Sequence, residues 1–224
     1  MKQLPLAIGP LPDVGFDSLV VGANAHAIAH LRGLLPPAPP VYLWGPSGSG
    51  KTRLMRAAAA HRQGLGERVG WFDASDALPW TLDDNWSLIV IDDCDQLDPA
   101  QQAEAFKLFV ETSSLGLLWL SGGRLPPVDL PLRDDLRSRL GWGHVFALQT
   151  LAEHETRSAL RRDADRRGIA LSDEVMDYLL TRFARDLKHL MNVLDRLDDF
   201  ALSEHRHVTV PLLRKMLIET GLAP

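Results

Sequence analysis

The chain has 224 residues, of which 46% are hydrophobic, a formal net charge of −5 and a single cysteine, Cys94. That is enough apolar material for one large domain, or for a core with a small accessory domain. The acidic balance excludes a surface that wraps nucleic acid wholesale, since such binding depends on lysine and arginine neutralising phosphates. One cysteine excludes an intramolecular disulfide framework, no apolar run reaches the roughly 18–20 residues of a membrane helix, and no signal peptide opens the chain, so a cytoplasmic protein is expected.

Pro5, Gly9, Pro10, Pro12 and Gly15 interrupt the start of the chain, and 1–15 reads as a flexible tail. From Phe16 a short FDSLVVG segment, a helix over 25–34 and a proline-rich link over 36–40 lead to an apolar strand over 41–44. The string GPSGSGKT comes next, then a helix over 51–62, strands over 69–72 and 88–91, a helix over 100–113 and a strand over 117–120. Strands alternating with helices predict a parallel sheet flanked by helices. After 150 the strand signals fade, and helices are expected over 153–167, 173–183, 185–203 and 211–220, with Gly168 stopping the first and Ser172 capping the second. The fold class is therefore α/β, with a nucleotide-binding core over 16–150 and a small helical domain over 151–224.

The string from Gly45 through Pro46, Ser47, Gly48, Ser49, Gly50 and Lys51 to Thr52 is a complete phosphate-binding loop between a strand and a helix. Successive backbone N–H groups must aim at the phosphates, which calls for glycine at 45, 48 and 50, and the following helix adds its positive end. Lys51 would reach the β- and γ-phosphates, and Thr52 would hold Mg²⁺. SLIVIDDCDQ, about 40 residues on, is a buried strand ending in carboxylates. Asp92 would join Thr52 at the metal, and Asp93 would polarise an attacking water. Ser121 ends the next strand and is either a polar sensor or a neutral exit. LRSRLGWG, with Arg137 and Arg139 ahead of Gly141-Trp142-Gly143, suggests a rigid turn that offers a guanidinium to a neighbouring subunit's phosphate. Arg157, Arg161, Arg162, Arg166 and Arg167 alternate with acids and read as a solvated helix face.

Taken together, GPSGSGKT, LIVIDD, LSGGR and SRLGWG resemble the DnaA-related AAA+ family over roughly residues 16–202. Neither the initiator's helix-turn-helix domain nor its self-association domain is expected, because the chain closes soon after the helical segment and opens on a short tail. In that tail Gln3, Leu4 and Leu6 resemble the peptide that hooks the replicative sliding clamp. A clamp hook on a bare core resembles, within the family, the regulatory inactivators of DnaA.

The resemblance implies a regulator of replication initiation that carries ADP or ATP with Mg²⁺ and docks on the DNA polymerase III β sliding clamp. It would stimulate hydrolysis of the ATP held by DnaA, meeting DNA mainly through the clamp and hydrolysing its own nucleotide weakly at most. Arg139 would be the arginine acting in trans, with Arg137 in reserve or in a structural salt bridge. Phe16, Val20, Val21, Gly22 and Asn24 map to the segment that closes over the base, although Phe16 fits the core equally well. Lys188 stands where the family places a nucleotide-contacting arginine, and Gly122-Gly123 where it places an acidic sensor. A homodimer stays open. The alternative is an autonomous ATPase of helicase-loader type acting on single-stranded DNA.

Overall fold

The computed structural model describes residues 15–183 and 187–221; Gln3, Leu4 and Leu6 lie outside the described residues, as does the side chain of Lys188. Thirteen regular elements follow one another: α1 (Ala25–Arg32), β1 (Val41–Trp44), α2 (Lys51–Gly64), β2 (Arg68–Phe72), β3 (Trp86–Ile91), α3 (Pro99–Ser114), β4 (Leu118–Gly123), α4 (Asp134–Leu140), β5 (His144–Ala147), α5 (Glu153–Arg166), α6 (Asp173–Arg182), α7 (Leu187–Glu204) and α8 (Val210–Thr220). Two compact units divide them. Of the described residues, the first takes in those up to Leu19, His26–Trp44 and Lys51–Phe146; the second takes in Val20–Ala25, Gly45–Gly50 and those from Ala147 onward.

The first unit is built on a five-stranded sheet of order β2-β3-β4-β1-β5. β2 with β3, β3 with β4, and β4 with β1 all pair in parallel. Register and the two-residue period of a strand sort the side chains onto two faces. Val41 opposite Leu120 and Leu88 opposite Leu118 share one face with Gly122, which meets Met55 of α2. Tyr42, Ile89, Ile91 and Trp119 share the other, packed with Ala105, Leu108 and Phe109 of α3. Both faces are covered, which is why Val41, Tyr42, Leu43, Ile89, Val90 and Leu120 are all fully buried and the strands read as unbroken apolar runs. α3 starts on a capping box: Asp98 accepts from the Gln101 backbone, Gln101 accepts from the Asp98 backbone, and Pro99 holds the first turn.

Two elements were not foreseen. α4 carries the arginines expected in a turn, and β5 is a short, mostly exposed strand of only four residues, too few to set a period. Entry into β5 depends on Gly143. The His144 N–H donates to the Pro40 carbonyl at 2.9 Å, and a Cβ on Gly143 would lie 1.9 Å from that same oxygen. Gly143→Ala is expected to cost about 3 kcal/mol, since a backbone carbonyl cannot step aside as a side chain can, and the urea midpoint of the full chain measures it.

The second unit's helices bury Leu160, Val175, Met176, Leu179, Leu190, Val193, Leu194, Leu197, Leu213 and Met216. Along α7 the buried positions recur at Leu190, Val193, Leu194 and Leu197, the stripe of an amphipathic helix. Gly168 ends α5 at φ 72°, and the Ser172 and Thr209 hydroxyls cap α6 and α8. The α5 arginines are largely neutralised within this unit: Arg157 pairs with Asp177, Arg161 with Asp173, Arg166 with Asp163, and Arg167 with Asp163 and Asp195.

Candidate phosphate-binding site

Lys51 and Thr52 open α2, while Asp92 and Asp93 follow the carboxyl end of β3, where open parallel sheets bind their ligands. Lys51 is only 5% exposed. Burial pulls its ammonium below the usual lysine range, opposed by the charges of Asp93, Asp95 and Asp92. Asp92, 6% exposed, shifts the other way: burial raises its carboxyl, opposed by a hydrogen bond from the Thr52 hydroxyl. A cation and a carboxylate both kept from water are two charges that a phosphate and a metal ion would each relieve. The Thr52 and Asp92 oxygens, already in contact, are hard donors suited to Mg²⁺, which would supply charge neutralisation at the phosphates.

Asp93 is exposed and sits at φ 44°, a left-handed conformation that aspartate tolerates better than most residues. Its N–H donates to Asp92 Oδ1 at 2.9 Å, so the strained turn fixes the neighbouring carboxylate. Asp95, which the sequence did not single out, completes the acidic turn. Burial alone would raise its carboxyl, but hydrogen bonds from Arg124 and Gln96 outweigh that and hold it below the ordinary range. The third acid of IDDCDQ was the available signal. Cys94 between them is buried and its thiol is pushed up by that burial, in keeping with a core filler.

Ser121 points into the core. Its hydroxyl is fully buried and donates to the Val41 carbonyl at 3.4 Å inside the sheet. Phe16 resolves as core: it is 7% exposed, edge-on to His61 at 5.6 Å and capped by the Arg32 guanidinium at 5.4 Å.

The second unit contains the loop Gly45–Gly50. Gly45, Gly48 and Gly50 have φ of 154°, 78° and 91°, the values for which glycine was expected. Gly45 is also needed for space, because a Cβ there would lie 2.3 Å from the Leu148 carbonyl oxygen. Ser49 Oγ is buried and makes no hydrogen bond among the described residues, an orphaned polar atom that a phosphate oxygen would satisfy. Pro46 and Ser47 are exposed.

Asn24 is clamped from both sides. Its Nδ2 donates to the Gln149 carbonyl at 2.8 Å, and its Oδ1 accepts from the Gln149 N–H at 2.9 Å. Gly22 sits against Leu151 and Glu155, Val20 is half-buried, and Val21 is 48% exposed. The stretch 148–151 therefore backs both the loop and the segment holding Val20 and Val21, a role the sequence gave no sign of. Lys188 lies on α7.

Back in the first unit, Arg139 occupies the last turn of α4 and is exposed, with no side-chain hydrogen bond or ion pair among the described residues. Its neighbours differ: Arg133 pairs with Asp135, and Arg137 with Asp134. Trp142, 70% exposed, and Val128, 78% exposed, flank the helix end, where Gly141 rests on Pro127.

Residues 153–217 match the family model described as Hda, lid domain. An uncharacterized protein of Haemophilus influenzae is 31% identical over 233 aligned positions, covering 96% of this chain and 98% of the relative. Among solved structures, domain III of the Thermotoga maritima replication initiation protein DnaA superposes with a TM-score of 0.78 at 21% identity, covering 94% of this chain and 98% of that one. AMPPCP-bound DnaA from Aquifex aeolicus gives 0.67 at 20% identity, covering 84% of this chain and 66% of that one. A parallel sheet with its helices, the phosphate loop and a helical unit that matches this lid thus agree, and the chain belongs to the Hda family of DnaA-related AAA+ proteins.

Proposed function

We propose that this chain is a nucleotide-bound regulator of replication initiation that acts on DnaA by stimulating hydrolysis of the ATP DnaA carries. The observation that carries the proposal is Arg139, exposed on α4 and unpaired among the described residues, while Arg133 and Arg137 beside it are tied to aspartates. An exposed guanidinium near an exposed tryptophan is suited to enter another protein's active site, where it would stabilise charge on the transferred phosphoryl oxygens. Gly45–Thr52 with Asp92 would hold ADP or ATP and Mg²⁺, with Val20 and Val21 at the base and Lys188 as a cation from the helical unit. Asp93 would polarise water for at most weak intrinsic hydrolysis. The tail, through Gln3, Leu4 and Leu6, would hook the β sliding clamp, so that DNA is met indirectly. The rival reading, an ATPase working on single-stranded DNA, needs a basic surface, and the α5 arginines are largely spent on internal ion pairs.

The test follows labelled ATP bound to DnaA, with and without this chain, clamp and DNA. Stimulation that requires the chain and the DNA-loaded clamp together is the expected result. Replacing Gln3, Leu4 and Leu6 by alanine should abolish that stimulation and clamp binding while nucleotide affinity stays intact. Stimulation without the clamp would remove the adaptor role, and hydrolysis by the chain itself driven by DNA alone would favour the rival.

A further inference from the structure

α1 carries His26 and His30, four residues apart and so on one side of the helix, next to the buried Ala27, Ile28 and Leu31. β5, an outer strand of the sheet beside β1, brings His144 and Phe146, two residues apart and so on one face. All four residues belong to the first unit, and their rings meet. Centroid to centroid, His30 lies 4.4 Å from His144 and 5.0 Å from Phe146, and His26 lies 5.4 Å from Phe146. His26 and His144 are exposed. His30 is half-buried, and its Nε2 is shut away from water with no hydrogen bond among the described residues.

A neutral imidazole tolerates that burial, because Nε2 can be the bare nitrogen and present only a lone pair. An imidazolium does not: both nitrogens then carry N–H, and the one at Nε2 would be buried without an acceptor. A proton on His30 would also face any proton on His144 or His26, and none of the three histidines has a carboxylate partner among the described residues. Arg32, the other cation in the last turn of α1, pairs with Asp17. Two features lean the other way, the Phe146 ring and the carboxyl end of α1, since both attract cations. Burial nonetheless comes first, followed by the charges of His144 and His26, and together they hold the His30 imidazole below the usual histidine range.

We propose that the four rings make a proton-operated latch between α1 and β5: neutral histidines hold the edge strand against the helix, and protonation of His30 lets it go. A histidine that is neutral when packed and protonated when free contributes stability that is lost as pH falls below about 6.5, the unfolded value. The released strand would take with it the His144 N–H that donates to the Pro40 carbonyl, and the segment from Arg139 to Gly143 would lose its downstream anchor. The latch is independent of whether Arg139 acts on another protein.

Magnetic resonance titration of the full chain between about pH 7.5 and 5.5, read beside urea unfolding over the same range, tests it. The His30 ring signal should titrate below about 6.5, and the folding constant should fall by roughly three- to tenfold more in the unaltered chain than in His30→Phe, which keeps a ring and takes no proton. The protection factor of the His144 amide, corrected for its intrinsic exchange rate, reports the opening of β5 itself. It should lie below those of the β4 amides, and fall with pH far less in His30→Phe than in the unaltered chain. His144→Gln should give a shallower fall than the unaltered chain, because His30 then meets one charge fewer, and this variant decides if His30→Phe fails to fold. Equal pH dependence in the unaltered chain and the deciding variant overturns the proposal, as does titration of His30 at or above about 6.5. Exchange of the His144 amide only together with β4 also overturns it, since the strand then never leaves separately.

Discussion

Arg139→Ala is expected to abolish stimulation of DnaA-bound ATP hydrolysis, a fall of about 10³–10⁵ in rate if Arg139 supplies the whole effect of a trans-acting arginine. The fold should be untouched. Leu136 and Leu140 anchor α4 in the core, whereas Arg139 has no partner among the described residues to lose. Unfolding midpoint, nucleotide affinity and clamp binding should therefore match the unaltered chain within error, so that a single-turnover assay isolates the catalytic contribution. Arg139→Lys should behave nearly as badly, because an ammonium keeps the charge but loses the planar fork that grips two phosphoryl oxygens in one fixed geometry. Normal stimulation by Arg139→Ala would move the acting group elsewhere. Arg137 is the nearest candidate, and its pairing with Asp134 would then have to break on docking.

Lys51→Ala should reduce nucleotide affinity by roughly ten- to hundredfold, the worth of a charge-assisted contact in a buried setting, for ATP and ADP alike. α2 should persist, since Leu54, Met55, Ala57 and Ala58 hold its buried face. Calorimetric titration supplies the affinity. A thermal scan supplies an independent readout, as a ligand at a hundred times its dissociation constant stabilises the native state by about 2.7 kcal/mol and that gain should vanish in the variant. Unchanged affinity would mean that the buried ammonium serves only the Asp92, Asp93 and Asp95 carboxylates around it.

The glycine-rich loop and its unusual backbone angles were legible because the pattern is contiguous. Glycines that need unusual φ, a lysine and a hydroxyl fall within one short string, and a buried strand ends in carboxylates downstream. The parallel core strands and the helical unit were legible for a similar reason: burial on both faces or on one stripe imprints a local period. β5 left no such imprint, being short and largely exposed at the sheet edge, and α4 was hidden inside a string rich in charge and glycine. The clamp between Asn24 and Gln149 joins positions 125 residues apart, and no local pattern encodes it. Ser121 and Phe16 show the remaining difficulty. Residue type allowed either a site role or a core role for each, and only register and packing assigned them inward. Arg124 and Asp95 were both in plain view as letters, yet their partnership is a product of the β3 and β4 ends lying side by side.

The chain's repeated passage between its two units bears on biosynthesis. Gly45 leaves the ribosome early, but the carbonyl of Leu148 against which it is seated, and the amide of Gln149 that secures Asn24, are translated much later. A nascent product halted before that stretch carries the whole nucleotide signature without the backing that shapes it. Truncation before Leu148 is therefore expected to keep the loop's sequence and lose both the seat of Gly45 and the clamp on Asn24.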